Sequence, residues 1–112
     1  MLNINIEEQE NYQILQVVGE IDASTSITLD NALKTSSETT KNVLLDLSQL
    51  EYISSAGLGV FISYLDDFKS KNIKLVLFGL TEKVLEVFQI LGLQHLMQIV
   101  PDQSSAVELI NA

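Results

Sequence analysis

Leu45-Asp46-Leu47-Ser48-Gln49-Leu50-Glu51-Tyr52-Ile53-Ser54-Ser55-Ala56-Gly57-Leu58-Gly59 decides the fold. It opens inside the apolar run Val43-Leu44-Leu45, the pattern of a strand buried on both faces of a parallel sheet. That strand, from Asn42 to Leu47, is expected to end near Asp46 and to be followed by a short turn. A helix is predicted from Ser54 to Ser70. Leu58, Phe61, Ile62, Leu65 and Phe68 fall at helical spacing, while Asp66, Asp67, Lys69 and Lys71 take the other face or the end. A second apolar run, Ile73 to Phe78, interrupted only by Lys74, follows at once, which makes a strand–helix–strand unit.

Outward from this unit the same alternation continues. Asn3 to Glu7 and Tyr12 to Ile21 read as two strands that can pair antiparallel through Glu8 to Asn11. Ala23 to Ser37 reads as a helix on Leu29, Ala32 and Leu33. Thr81 is placed as the N-cap of a helix carrying Val84, Leu85, Phe88 and Leu91, with Gly92 as its terminator. Leu96 to Val100 forms a last strand, and Asp102 caps a final helix with Ala106, Val107 and Ile110. The order is β-β-α-β-α-β-α-β-α. The predicted fold is α/β: a single domain over residues 1–112, with a mostly parallel four- to five-stranded sheet, an antiparallel first strand and about four helices.

Composition narrows the function. The chain has 112 residues, 46% of them hydrophobic, enough for one core. Asp and Glu number 15 against 6 Lys and no Arg, a net charge of −9. Such a surface repels nucleic-acid backbones and anionic membranes, and it lacks a bidentate phosphate clamp. With no Cys, thiol nucleophiles and zinc–thiolate sites are absent. No basic-then-apolar leader and no apolar run of membrane-spanning length is visible. A soluble, cytoplasmic chain is expected.

Catalytic constellations are not met. The lone histidine, His95, lies between Gln94 and Leu96 and reads as a partly buried structural residue. Ser55 sits at a strand-to-helix turn, but Ile53 stands where a nucleophile elbow has its first glycine. Gly57-Leu58-Gly59 starts like a dinucleotide fingerprint whose third glycine position is Ile62. One His and no Cys leave only carboxylates as metal ligands, and the adjacent Asp66 and Asp67 point to different parts of a helix surface. No catalytic residue, metal ligand or cofactor is assigned. An enzyme or nucleotide binder would have to use Asp46, Ser55 and Asp22, with no general base or phosphate cradle in view.

Two places carry more than packing. In Gly19-Glu20-Ile21-Asp22, alternation at a strand end puts Glu20 and Asp22 on one side. Asp22 can cap the next helix, contact a partner, or do both. In the second place, Gly57 and Gly59 lie in the first turns of a helix, where each glycine costs about 1 kcal/mol relative to alanine. They serve either a tight helix–sheet contact or the approach of another surface to bare backbone. Ser54 fits the N-cap and would accept from the N–H of Ala56 or Gly57, which leaves the Ser55 hydroxyl outward.

These residues resemble the signature of the anti-sigma factor antagonist family, the stand-alone STAS domains. Gly19-Glu20-Ile21-Asp22 matches its first motif, Asp46 to Gly59 its second, and the element order matches nearly the whole chain. The resemblance implies a cytoplasmic switch protein rather than an enzyme. Ser55 would be the serine phosphorylated by an anti-sigma factor serine kinase. Asp22, Ser54, Ser55, Ala56, Gly57, Leu58 and Gly59 would meet the partner. Unphosphorylated antagonist would bind the kinase and release a sigma factor, and a serine phosphatase would reset the phosphorylated form. Many kinase-linked members carry Asp where this chain has Ser54, so Ser54 is a second hydroxyl beside the acceptor. The alternative within the family is a constitutive docking subunit of a lipid-transport ATPase or stress-signalling complex, in which Ser55 need not be modified.

Overall fold

The computed structural model describes residues 1–111. In chain order the elements are β1 (Leu2–Glu8), β2 (Tyr12–Ile21), α1 (Ser26–Ser37), β3 (Asn42–Ile53), α2 (Ser55–Ser70), β4 (Leu75–Phe78) and α3 (Glu82–Ile90). A 3-10 turn (Leu93–His95), β5 (Gln98–Val100) and α4 (Gln103–Ile110) complete it. The strands form one sheet in the order β1-β2-β3-β4-β5. β1 runs antiparallel to β2, and every other pair is parallel. The predicted α/β architecture is the one observed.

Each crossover moves one strand in the same direction, so right-handed connections stack α1, α2 and α3 on one face of the sheet. The main core lies there. Leu29 and Leu33 of α1, Phe61 and Phe68 of α2, and Val84 and Phe88 of α3 meet Leu15, Leu45, Leu47 and Leu77 of the sheet. α4 follows the last strand and covers part of the opposite face, where Ala106 and Ile110 pack on Ile14, Leu44, Val76 and Phe78. Both faces of β3 and β4 are therefore covered, which accounts for their continuous apolar runs. The caps are as expected: Thr81 accepts from the Val84 N–H at 3.3 Å and Asp102 from the Ser105 N–H at 2.8 Å. Gly92 ends α3 with φ +71, a conformation glycine adopts without strain.

Several expectations change. β3 does not end near Asp46 but runs on to Ile53. Against β2 it carries two extra residues, with register shifts between Gln16 and Val18 and between Gly19 and Glu20. Leu47, Leu50 and Ile53 are buried at every third position because of these bulges, so the stretch lacks the two-residue period of a regular strand. The helix expected from Ala23 begins at Ser26, since residues 22–25 form a turn. Ile73 and Leu96 lie outside the strands assigned to them. His95 is exposed in the 3-10 turn, not partly buried. Ile62 is 44% exposed, off the buried stripe of Leu58, Phe61 and Phe68.

This helical phase sets an expectation for stability. Phe61 is fully buried against Phe88, with ring centroids 6.1 Å apart. Phe61→Ala should cost about 3–5 kcal/mol in urea unfolding, whereas Ile62→Ala should stay within about 0.5 kcal/mol of the parent. Equal losses at the two positions would contradict the packing described.

Candidate functional site

β2 and β3 end side by side, with Ile21 paired to Ile53 and the Ser54 N–H donating to the Ile21 carbonyl at 2.8 Å. The two sequence motifs, some thirty residues apart, are thereby joined at one end of the sheet. Gly19 helps to place the first motif. Its φ is +116, and a Cβ there would collide with the Met1 carbonyl oxygen. The same carbonyl accepts from the Glu20 N–H at 3.2 Å.

Glu20 and Asp22 do not continue one alternating row, because the strand stops at Ile21. Asp22 instead turns its carboxylate back on the chain. Its Oδ1 accepts from the Ser24 hydroxyl at 2.7 Å and from the N–H groups of Ser24 and Thr25 at 2.9 Å each. Thr25 precedes α1 without a side-chain cap of its own, so Asp22 organises the turn before the helix. The Ser24 hydroxyl, followed by the Thr25 N–H, stabilises the ionised carboxylate and lowers its pKa to about 2.

The start of α2 is built the same way. Ser54 accepts from the Gly57 N–H at 3.3 Å, and the Ser54 carbonyl accepts from the Leu58 N–H at 3.0 Å. Of the acceptance options at Ser54, the structure takes Gly57. Ser55 opens the helix, exposed, and its hydroxyl makes no hydrogen bond among the described residues. The N–H groups of Ser55 and Ala56 also lack an intrahelical acceptor, as expected of the first positions of a helix.

The two glycines separate into different jobs. A Cβ on Gly57 would lie 2.5 Å from Ile21 Cγ2 and 3.0 Å from Ile53 Cγ1, so Gly57 lets the helix rest on the strand ends. A Cβ on Gly59 would meet nothing within 4 Å. Gly59 therefore has no internal packing reason and faces solvent. Of the candidate contact residues, Ser55, Ala56 and Gly59 are exposed, Asp22 and Ser54 are half-buried, and Gly57 and Leu58 are buried. Gly57 and Leu58 support the site from beneath.

Sequence reasoning assigned Ile62 to the core, yet it shares a helical stripe with Ser55 and Gly59 at spacings of seven and three residues. Its position at the margin of the apolar stripe was the available signal. Asp46 pairs with Gln16 and Phe78, and its carboxylate accepts from the Ser48 hydroxyl at 2.7 Å. The cavity beside Asp46, about 170 Å³, is lined by Asn5, Ile6, Glu7, Ile14, Gln16 and Gln103 as well, and includes neither Ser55 nor Asp22. Among the described residues no set of three His, Asp or Glu side chains is placed to hold a metal, and no helix is long and apolar enough to cross a membrane.

A five-stranded sheet with one antiparallel edge and a serine-tipped helix after the bulged central strand define a STAS-type module. The chain belongs to the STAS domain family, whose pattern it matches over residues 3–106. It is 35% identical over 100 residues to the anti-sigma-B factor antagonist of Listeria monocytogenes, across 88% of each chain. An anti-sigma factor antagonist from Mycobacterium paratuberculosis has the same fold, with a TM-score of 0.91 at 18% identity, covering 100% of this chain and 96% of that one. The phosphorylated form of the Bacillus cell fate determinant SpoIIAA superposes with a TM-score of 0.71 at 15% identity, covering 96% of this chain and 99% of its own.

Three substitutions test this geometry. Gly57→Ala should destabilise the fold by about 1–3 kcal/mol through overpacking. Gly59→Ala should instead stabilise it by up to about 1 kcal/mol. Urea titrations that gave the two changes the same sign would refute the division of labour. Asp22 has a depressed folded pKa, so its contribution is present above the ordinary carboxylate pKa near 3.8 and fades as pH falls toward about 2. Asp22→Asn should therefore be less stable than the parent at neutral pH, with the gap closing between pH of about 4 and about 2. A gap that persists unchanged to the acid end would remove Asp22 from the turn's electrostatics.

Proposed function

We propose that this protein is a phosphorylation-switched anti-sigma factor antagonist of the cytoplasm. In its unphosphorylated form it binds an anti-sigma factor serine kinase, so that a sigma factor is released. Phosphate on Ser55 blocks that binding, and a serine phosphatase restores it. The chain is a substrate and binding protein rather than an enzyme.

The observation that carries this reading is the different state of two adjacent serines. Ser54 is half-buried and its oxygen is engaged by the Gly57 N–H. Ser55 is exposed and uncommitted at the first position of α2. A kinase can take up the second hydroxyl without dismantling a helix cap. The resulting dianion sits where free N–H groups and the helix dipole favour negative charge, so the fold tolerates it. The fold shared with phosphorylated SpoIIAA supports that tolerance.

Loss of binding then arises at the interface. Ser55, Ala56, Gly59 and Ile62 present an uncharged surface, and the chain has no Arg to pair with a phosphate. A dianion buried there without a counterion costs several kcal/mol. About 4 kcal/mol is close to a thousandfold in affinity. Exposed Gly59 suits close approach of the partner's backbone, since nothing inside the fold calls for a glycine there.

The test is incubation with a serine-kinase anti-sigma factor and ATP, with the site read by mass spectrometry. One phosphate should appear on Ser55. Ser55→Ala should abolish uptake while keeping affinity, and Ser55→Asp should weaken binding on the order of a hundredfold to a thousandfold. Ser54→Ala should retain uptake, although it costs about 1 kcal/mol of stability through the lost cap. If the parent takes up no phosphate, or if Ser55→Asp binds as tightly as Ser55→Ala, constitutive docking replaces the switch.

A further inference from the structure

The first turns of α1 and α2 start from adjacent strand ends, because Ile21 and Ile53 are paired. Just past them, the Asp22 carbonyl accepts from the Ser26 N–H at 2.9 Å and the Ser54 carbonyl from the Leu58 N–H at 3.0 Å. Further along, the Asp30 carbonyl accepts from the Tyr64 hydroxyl at 3.1 Å, and the Ser37 carbonyl from Lys71 Nζ at 3.4 Å. Asp30 and Ser37 are two turns apart on one stripe of α1, so that stripe adjoins α2. Ile27 lies one turn before Asp30 on the same side and is 65% exposed.

Neither helix tip carries the charge found elsewhere in the chain. Free N–H groups favour a carboxylate in the first turn of a helix, and α3 has Glu82 there, but α1 and α2 have no acidic residue in theirs. No Asp, Glu, Lys or Arg occurs from Ala23 to Leu29 or from Tyr52 to Leu65. A β-branched side chain that is mostly exposed does little for its own helix, so Ile27 has no evident internal purpose.

Granted Ser55 as the kinase's acceptor, we propose that Ile27 anchors the same contact: the anti-sigma factor kinase spans both helix tips and seats an apolar pocket over Ile27 while its active site reaches Ser55. Continuity and area select this occupant. A specific contact buries about 800 Å² on each partner. Ser55, Ala56 and Gly59 are exposed but carry little side chain, so a kinase that encloses Ser55 must bury more than these. Ile62 adds area along α2, and Ile27 adds it across to α1. Charge resumes only at Asp30 on α1 and Asp66 on α2.

The test is a binding titration of the unphosphorylated chain against a serine-kinase anti-sigma factor. Ile27→Asp should weaken binding by at least about thirtyfold. The new carboxylate lies where the dipole of α1 favours it, so urea unfolding should show no loss of stability. Thr28→Asp places the same charge about 100° further around α1, away from α2, and should bind within about threefold of the parent. With ATP present, Ile27→Asp should raise the KM for the chain at least about tenfold and leave kcat within about twofold, because Ile27 does not touch the reacting hydroxyl. If Ile27→Asp binds like the parent while Ser55→Asp still loses affinity, the switch stands and the anchor is overturned. Equal losses for Ile27→Asp and Thr28→Asp would also overturn it, since added charge alone would then explain both. If neither Ser55→Asp nor Ile27→Asp changes binding, the role of Ser55 falls and the anchor falls with it.

Discussion

The absence of a side chain at Gly57 is the constraint on which the site depends. With only hydrogen there, the first turn of α2 lies directly on Ile21 and Ile53, the last residues of two neighbouring parallel strands. The Ser54 N–H bond to the Ile21 carbonyl holds the same corner. Asp22 follows Ile21 and Ser54 follows Ile53, so this one packing contact fixes the organising carboxylate and the helix-tip hydroxyl relative to each other. A methyl group at this point would have to push the helix or the strand ends apart, because the interior has no slack to absorb it. The glycine that weakens the helix locally is thus what seats it.

Much of the fold was legible because the sheet is buried on both faces. The runs Val43-Leu44-Leu45 and Leu75 to Phe78 have few environments open to them, and the two helices that follow β4 carry clear caps at Thr81 and Asp102. The second half of β3 was not legible. Its two bulges space Leu47, Leu50 and Ile53 by three residues, a period that matches neither a strand nor a helix. Sequence patterns report the period of side-chain burial, so a strand that departs from its own period reads as a turn. The bulges serve a purpose the pattern cannot express. They take up two residues of β3, so that Ile53 comes level with Ile21 and Ser54 arrives beside the end of β2.

The site was legible in residue type but not in role. Ser54 and Ser55 are chemically alike, and only the hydrogen bond to the Gly57 N–H separates a cap from a free hydroxyl. Gly57 and Gly59 are likewise indistinguishable in sequence, yet one is pressed against Ile21 and the other opens on solvent. His95 and Ile62 were misplaced for a related reason. Each borders an apolar segment, and residues at such a border bury or emerge according to how the neighbouring elements close over them.

Under the proposed phosphorylation of Ser55, charge acts on this site at two ranges that oppose each other. Phosphate makes an already acidic protein more acidic by about 1.5 to 2 charges, which by itself would strengthen attraction to any basic partner. That attraction is modest, because −9 is already present and salt screens it beyond about 8 Å. Contact is a different regime. From Tyr52 to Leu65 the sequence contains no charged residue, so the surface at the tip of α2 has no counterion to offer a dianion once water is excluded. The desolvation cost at contact, several kcal/mol, exceeds what steering adds at a distance. A modification that the helix tip itself welcomes can therefore still expel a partner, provided the neighbouring surface stays neutral. The uncharged run around Ser55 is what meets that condition.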